Sequence, residues 1–150
     1  MAISQAMCTS FKVEILDGIH AFGTTVVRAS TAADTFKIAL YTSSATLDAT
    51  TTAYTTSNEV PSTGGYTAGG NTLSVAQVPT YTSTTAWLDF ADTTWSAATI
   101  SADGALIYNS TQSNKAVAVL SFGGTKTSTS GDFTIVFPAA NSTSAIIRIA

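Results

Sequence analysis

The chain reads as a mainly β protein: an antiparallel β-sandwich of jelly-roll type, preceded by one N-terminal amphipathic helix, in a single domain over residues 1–150. Three observations predict this. Short runs of alternating apolar and polar residues recur from residue 35 to the end, the period of half-buried strands. Gly, Pro, Asn and Ser/Thr clusters punctuate those runs. Strands also follow one another without intervening helical patterns, which favours a sandwich or barrel over βαβ units. About eight strands in two sheets make a jelly roll, with an up-and-down barrel as the runner-up.

The helix comes first. Met7, Phe11, Ile15, Leu16, Ile19 and Phe22 recur at helical spacing over 4–22, with Ser4 as N-cap and Gly23 as the C-terminal stop. Lys12, Glu14, Asp17 and His20 fall on its polar side. Thr24–Arg28 offers a first short strand. Further strands follow at Thr35–Tyr41, Thr72–Val78 (ending at Pro79), Ala86–Phe90, Trp95–Ser101, Ala105–Tyr108, Ala116–Phe122, Phe133–Phe137 and Ala145–Ile149. Asp103-Gly104 and Ser130-Gly131 read as turns, and Gly123-Gly124 as a strand stop. Two long segments, Thr42–Thr56 and Asn58–Asn71, read as loops. Together they exceed the usual connection length, and long ordered loops are often functional.

Composition limits what the chain does. Only 10% of its 150 residues are charged, the net charge is −3, and 28 Thr and 18 Ser carry hydroxyls. Disorder needs high charge and low hydrophobicity, and this chain has neither. No apolar run approaches the roughly 20 residues of a spanning helix. The six basic residues, Lys12, Arg28, Lys37, Lys115, Lys126 and Arg148, are scattered, which argues against nucleic acid and anionic membrane as partners. One cysteine, Cys8, allows no intrachain disulfide. The first residues lack the pattern of a signal peptide, so the expected place of synthesis is a cytoplasm. A surface this poor in charge is either solvated by hydroxyls or covered by other subunits.

Each chemical candidate has a blander reading. His20 is the one histidine and could serve as a base, but no partner set surrounds it in sequence. Asp89 and Asp92 lie at close spacing without a calcium-loop pattern, and Asp92 reads as a turn former. Gly64–Gly70 has glycines but no P-loop lysine. Cys8 reads as a small buried residue, and zinc would need an unusual carboxylate-rich ligand set. The sequons at Asn109 and Asn141 read as chance in a Ser/Thr-rich chain. No metal or cofactor is expected, and no enzyme. The aromatic residues pack a core or a subunit seam, or stack on sugars. Tyr54, Asn58, Tyr66 and Tyr81, in or beside the loops, are the candidate protein-interface residues.

Several segments in this order are similar to a family of small virion structural proteins of tailed bacteriophages. They are Phe11–Phe22 (FKVEILDGIHAF), Asp34–Val60, Gly64–Leu73 (GGYTAGGNTL), Leu88–Asn109, Lys115–Gly124 (KAVAVLSFGG) and Phe133–Pro138 (FTIVFP). The size and all-β character resemble capsid cement, or decoration, proteins. That resemblance implies a non-enzymatic role on the outer surface of the capsid, assembled in the bacterial host cytoplasm. The implied partners are the major capsid protein and the chain's own copies, as a dimer or trimer. A tail, fibre-associated or receptor-binding module is the alternative, and it predicts exposed aromatics forming a glycan site.

Overall fold

A computed structural model describes residues 2–16, 18–23 and 33–150. Nine elements follow in order: β1 (Ala6–Met7), α1 (Thr9–Leu16), β2 (Phe36–Tyr41), β3 (Asn71–Thr72), β4 (Val75–Thr82), β5 (Thr85–Phe90), β6 (Thr93–Asn109), β7 (Lys115–Ile135) and β8 (Ile147–Ile149). They form a five-stranded sheet in the order β1-β7-β6-β2-β3 and a three-stranded sheet in the order β4-β5-β8. Every strand pair is antiparallel. The expected β class and pairing sense are therefore present.

The β6–β7 hairpin dominates. Four expected strands merge into its two arms, because the Asp103-Gly104 and Gly123-Gly124 signals do not end strands here. Gly104 pairs with both Tyr41 and Ser121 inside the sheet. A Cβ at this position would lie 2.5 Å from the Leu120 carbonyl oxygen and 2.9 Å from Ile3, so the glycine marks a close approach, not a turn. Gly123 and Gly124 sit where three extra β7 residues are accommodated, between the Ala102–Lys126 and Gly104–Ser121 pairs. Ser130-Gly131 is likewise a bulge, with Ser130 at φ 48°. The true turn is 110–114, with Ser113 and Asn114 left-handed. Asn109 Oδ1 closes it by accepting the Thr111 and Gln112 N–H groups at 3.1 Å each.

The N-terminal helix is shorter than expected. Ser4 N–H donates to Leu47 O, and Cys8 N–H to Val117 O. Ala6 and Met7 pair with Val119 and Ala118. These non-local bonds use the backbone that the helical period assigned to a first turn, so α1 starts at Thr9. Gly18, at φ 69°, then turns the chain out of the helix, its N–H bonded to Ile15 O. The expected strand at Thr24–Arg28 lies outside the described residues. Pro79 falls inside β4, not at its end. It is tolerated because β4 is an edge strand among the described residues and a register shift lies between Gln77 and Thr80.

One apolar core joins the two sheets. Phe22 stacks on Phe36 at 4.1 Å, Phe36 meets Phe90 at 6.0 Å, and Phe90 meets Phe137 at 5.9 Å. Phe36 belongs to the large sheet and Phe90 to the small one. Ile38, Leu40, Leu106, Ile107, Val117 and Val119 fill the centre of the large sheet, all fully buried. Contacts of this kind contribute about 1.5–3 kcal/mol for each large side chain.

Candidate functional site

The two long loops are tied down by one carboxylate. Glu59 is 8% exposed and its oxygens collect three donors. Tyr66 Oη donates to Oε1 at 2.6 Å, Gly69 N–H donates to Oε1 at 2.7 Å, and Tyr54 Oη donates to Oε2 at 2.7 Å. Charge-assisted bonds of this length are the strong ones. The network extends outward. Tyr66 Oη accepts the Leu40 N–H at 3.0 Å, Tyr108 Oη donates to Gly69 O at 2.8 Å, and Tyr41 Oη donates to Thr55 O at 2.6 Å. The Tyr54 and Tyr108 rings stack at 4.7 Å. Gly70 completes the fit: at φ 65° it lies against Ile38, where a Cβ would collide with the carbonyl.

This cluster is a clamp. Burial is the largest cause raising the Tyr41, Tyr54, Tyr66 and Tyr108 phenols, with Tyr108 pushed up to about 12. The Glu59 charge adds to the rise in all four. Phenols held protonated through neutral pH act as donors and not as bases. The clamp also sorts the expected interface residues. Tyr66, 3% exposed, points into the chain's own core, so it has no surface to offer a partner. Tyr54 is half-buried by its bond to Glu59. Asn58 is exposed at a turn, at φ 60°, where its carbonyl accepts the Thr42 N–H at 3.0 Å. Tyr81 is 77% exposed.

The other chemical candidates have structural positions. His20 packs edge-on to Phe11 at 4.7 Å. Its Nδ1 lies 3.1 Å from Asn109 Nδ2, which also donates to Asp34 Oδ2 at 2.8 Å. Asn109 Oδ1 already accepts two backbone N–H groups, so Nδ2 is the amide nitrogen. A bond from that amide to His20 uses Nδ1 as the acceptor. Cys8 is buried. Asp92 Oδ1 accepts the Phe137 N–H at 2.8 Å, anchoring the chain after β7 from the turn between β5 and β6. Asp89 is 1% exposed. Its Oδ1 accepts Phe90 N–H and the Ile146 amide lies near, yet Oδ2 has no full hydrogen bond. Burial pushes its carboxyl up. Among the described residues no three His, Cys, Asp or Glu side chains come together. Of the two sequon asparagines, Asn109 is fully buried and Asn141 caps a turn by accepting the Thr143 and Ser144 N–H groups.

Two surface features remain. Tyr81, Ala86 and Ile149 are direct neighbours across β4, β5 and β8. Two residues along, Leu88 and Ile147 are buried, as is Phe90 beyond them. Side chains two apart share a face, so the face that enters the core continues outward, uncovered, to Tyr81 and Ile149. The second feature is a groove of about 370 Å³ beside the β6–β7 ribbon. Ten residues line it, seven bearing hydroxyls and none charged; Thr42, Pro61, Ser101 and Thr127 are among them. It lies at a gap in the sheet. β2 reaches β6 as far as Gly104, and the next backbone bond on that side is Thr99 N–H to Gly64 O. Among the described residues, no strand lies beside 100–103 there.

Compared with family models, with curated proteins and with solved structures, the chain matches none of them.

Proposed function

We propose that this chain is a non-enzymatic structural protein of a phage particle, a capsid cement protein that binds the major capsid protein and its own copies. The two sheets, joined through the Phe36–Phe90–Phe137 rings, are read as the halves of a jelly-roll-like sandwich. The observation that carries the functional reading is the chemistry of the open surface. The core-facing side of the small sheet runs on to Tyr81 and Ile149, and the groove is hydroxyl-lined without a charge. Surfaces of this kind suit neighbouring protein, where Tyr anchors with low entropy cost and hydroxyls satisfy backbone groups. The buried clamp supports the same reading, because it stiffens long loops without presenting reactive groups. The sequence resemblance to small virion proteins supplies the identity of the neighbour.

The test is reconstitution. Purified protein is mixed with heads of the encoding phage that lack it. Saturable binding in multiple copies per head, with raised thermal resistance of the head, is expected. Binding confined to tails or to host glycan would replace this reading with the tail-module alternative, and no binding to any particle would contradict both.

A further inference from the structure

We infer that the β4–β5 hairpin of one copy seats Tyr81 in the hydroxyl-lined groove of a second copy, giving a head-to-tail self-contact. The inference rests on the self-association part of the proposed function and does not need the capsid location.

The hairpin has the form of a knob. β4 and β5 join through a two-residue turn, Ser83-Thr84, with Ser83 at φ 55°. Residues 81–84 are exposed. Among the described residues, Tyr81 is the most exposed of the large hydrophobic side chains. Its row-mates Ala86 and Ile149 are also uncovered. From Thr80 to Ala86 the hairpin carries no charge, only Thr and Ser hydroxyls, one phenol and one alanine.

The groove has the form of the matching hole. Its volume, about 370 Å³, sits at the low end for ligand pockets and suits a side chain with part of a turn. Pro61, exposed at its rim, offers a ring for a phenol to lie on, and Thr42, Ser101, Thr127 and Thr129 offer hydroxyls to its tip. With no charge in the lining, a phosphate, an acidic peptide or a basic peptide finds no counter-ion. A neutral hydroxyl-bearing hairpin loses no charge solvation on entry. The gap beside residues 100–103 gives the incoming turn room at backbone level.

Knob and hole are different surfaces, so the contact is heterologous. Such contacts close into rings when the rotation permits and otherwise extend as filaments. A single seated tyrosine falls short of the roughly 1,000 Å² of a stable interface, so the self-contact is weak in solution and strengthened where copies are held side by side.

Cysteine pairing tests it directly, because the native Cys8 is the only cysteine and is buried. Tyr81→Cys protein is mixed with Ser101→Cys protein under mild oxidation, and light scattering follows the parent chain over a concentration series. Tyr81→Cys mixed with Ser144→Cys is the control, with Ser144 an exposed residue away from the groove lining. The expected result is a mixed disulfide dimer only in the first mixture. Tyr81→Ala is also expected to weaken association by about tenfold or more. An associating parent chain without selective cross-linking would overturn the knob-in-groove contact while leaving self-association standing. A parent chain that stays monomeric, with no cross-link, would overturn the contact and the self-association together, and binding to heads would still be decided by reconstitution.

Discussion

Replacing Tyr66 with Phe tests the clamp with the least disturbance. The ring stays, with its contact to Trp95 at 5.9 Å, and one oxygen leaves. That oxygen donates to Glu59 at 2.6 Å and accepts the Leu40 N–H at 3.0 Å. A hydrogen bond to a charged group is worth about 1.5–3 kcal/mol, and a buried N–H left without an acceptor costs about 1–3 kcal/mol. The two effects overlap in one site, so the expected loss is about 3 kcal/mol. With a urea slope of about 2 kcal/mol per molar, the unfolding midpoint falls by about 1.5 M. Urea denaturation of parent and variant, followed by circular dichroism, measures it. A cycle with Glu59→Gln adds a second readout, since residues sharing one network couple by about 0.5–3 kcal/mol. A loss under about 1 kcal/mol, or strict additivity in the cycle, would refute the clamp.

Three further outcomes follow from the same structure. Alkali should unfold the chain: Tyr41, Tyr66 and Tyr108 are raised by burial in the folded state, so above pH 10 the unfolded chain releases protons that the folded one keeps. Stability is then complete below pH 10 and falls as pH rises, by up to about 4 kcal/mol per pH unit for three phenols; tyrosinate absorbance that reaches the level of all five tyrosines while the structure is retained would contradict this. Asp89→Asn should remove a fall in stability that the parent shows as pH rises through and just above the carboxylate range, because burial raises this carboxyl in the folded state; identical pH profiles for the two proteins would count against it. Gly70→Ala should cost more than about 3 kcal/mol in a thermal melt, since a Cβ there meets the Ile38 carbonyl at a positive φ, and a neutral result would show that the loop relaxes freely.

The strands were legible where burial alternates locally. Phe36, Ile38 and Leu40 announce β2, and Leu88 and Phe90 announce β5. What sequence could not show is continuity. Asp103-Gly104 has the chemistry of a hairpin turn, yet β2 and β7 lie on either side of it and hold it extended. The actual turn, 110–114, contains no glycine and relies on the Asn109 side chain reaching forward. The first residues kept a helical apolar period, but pairing with Leu47 and Val119 lies far along the chain and overrides it. The Glu59 clamp was missed because its parts are spread from Tyr41 to Tyr108. One signal was available: Glu59 is the only glutamate after Glu14, set in a charge-poor loop between Tyr54 and Tyr66. Tyr54 and Tyr66 read as interface candidates because a loop tyrosine looks the same in sequence whether it faces a partner or a buried carboxylate.

The proposed role as a shell-binding component of a virion is tested most directly by cryo-electron microscopy of purified particles of a phage that encodes this chain. The expected result is density for this β fold repeated over the head lattice, on the outer surface of the major capsid protein. Density at the tail vertex alone, or particles without this chain, would contradict it.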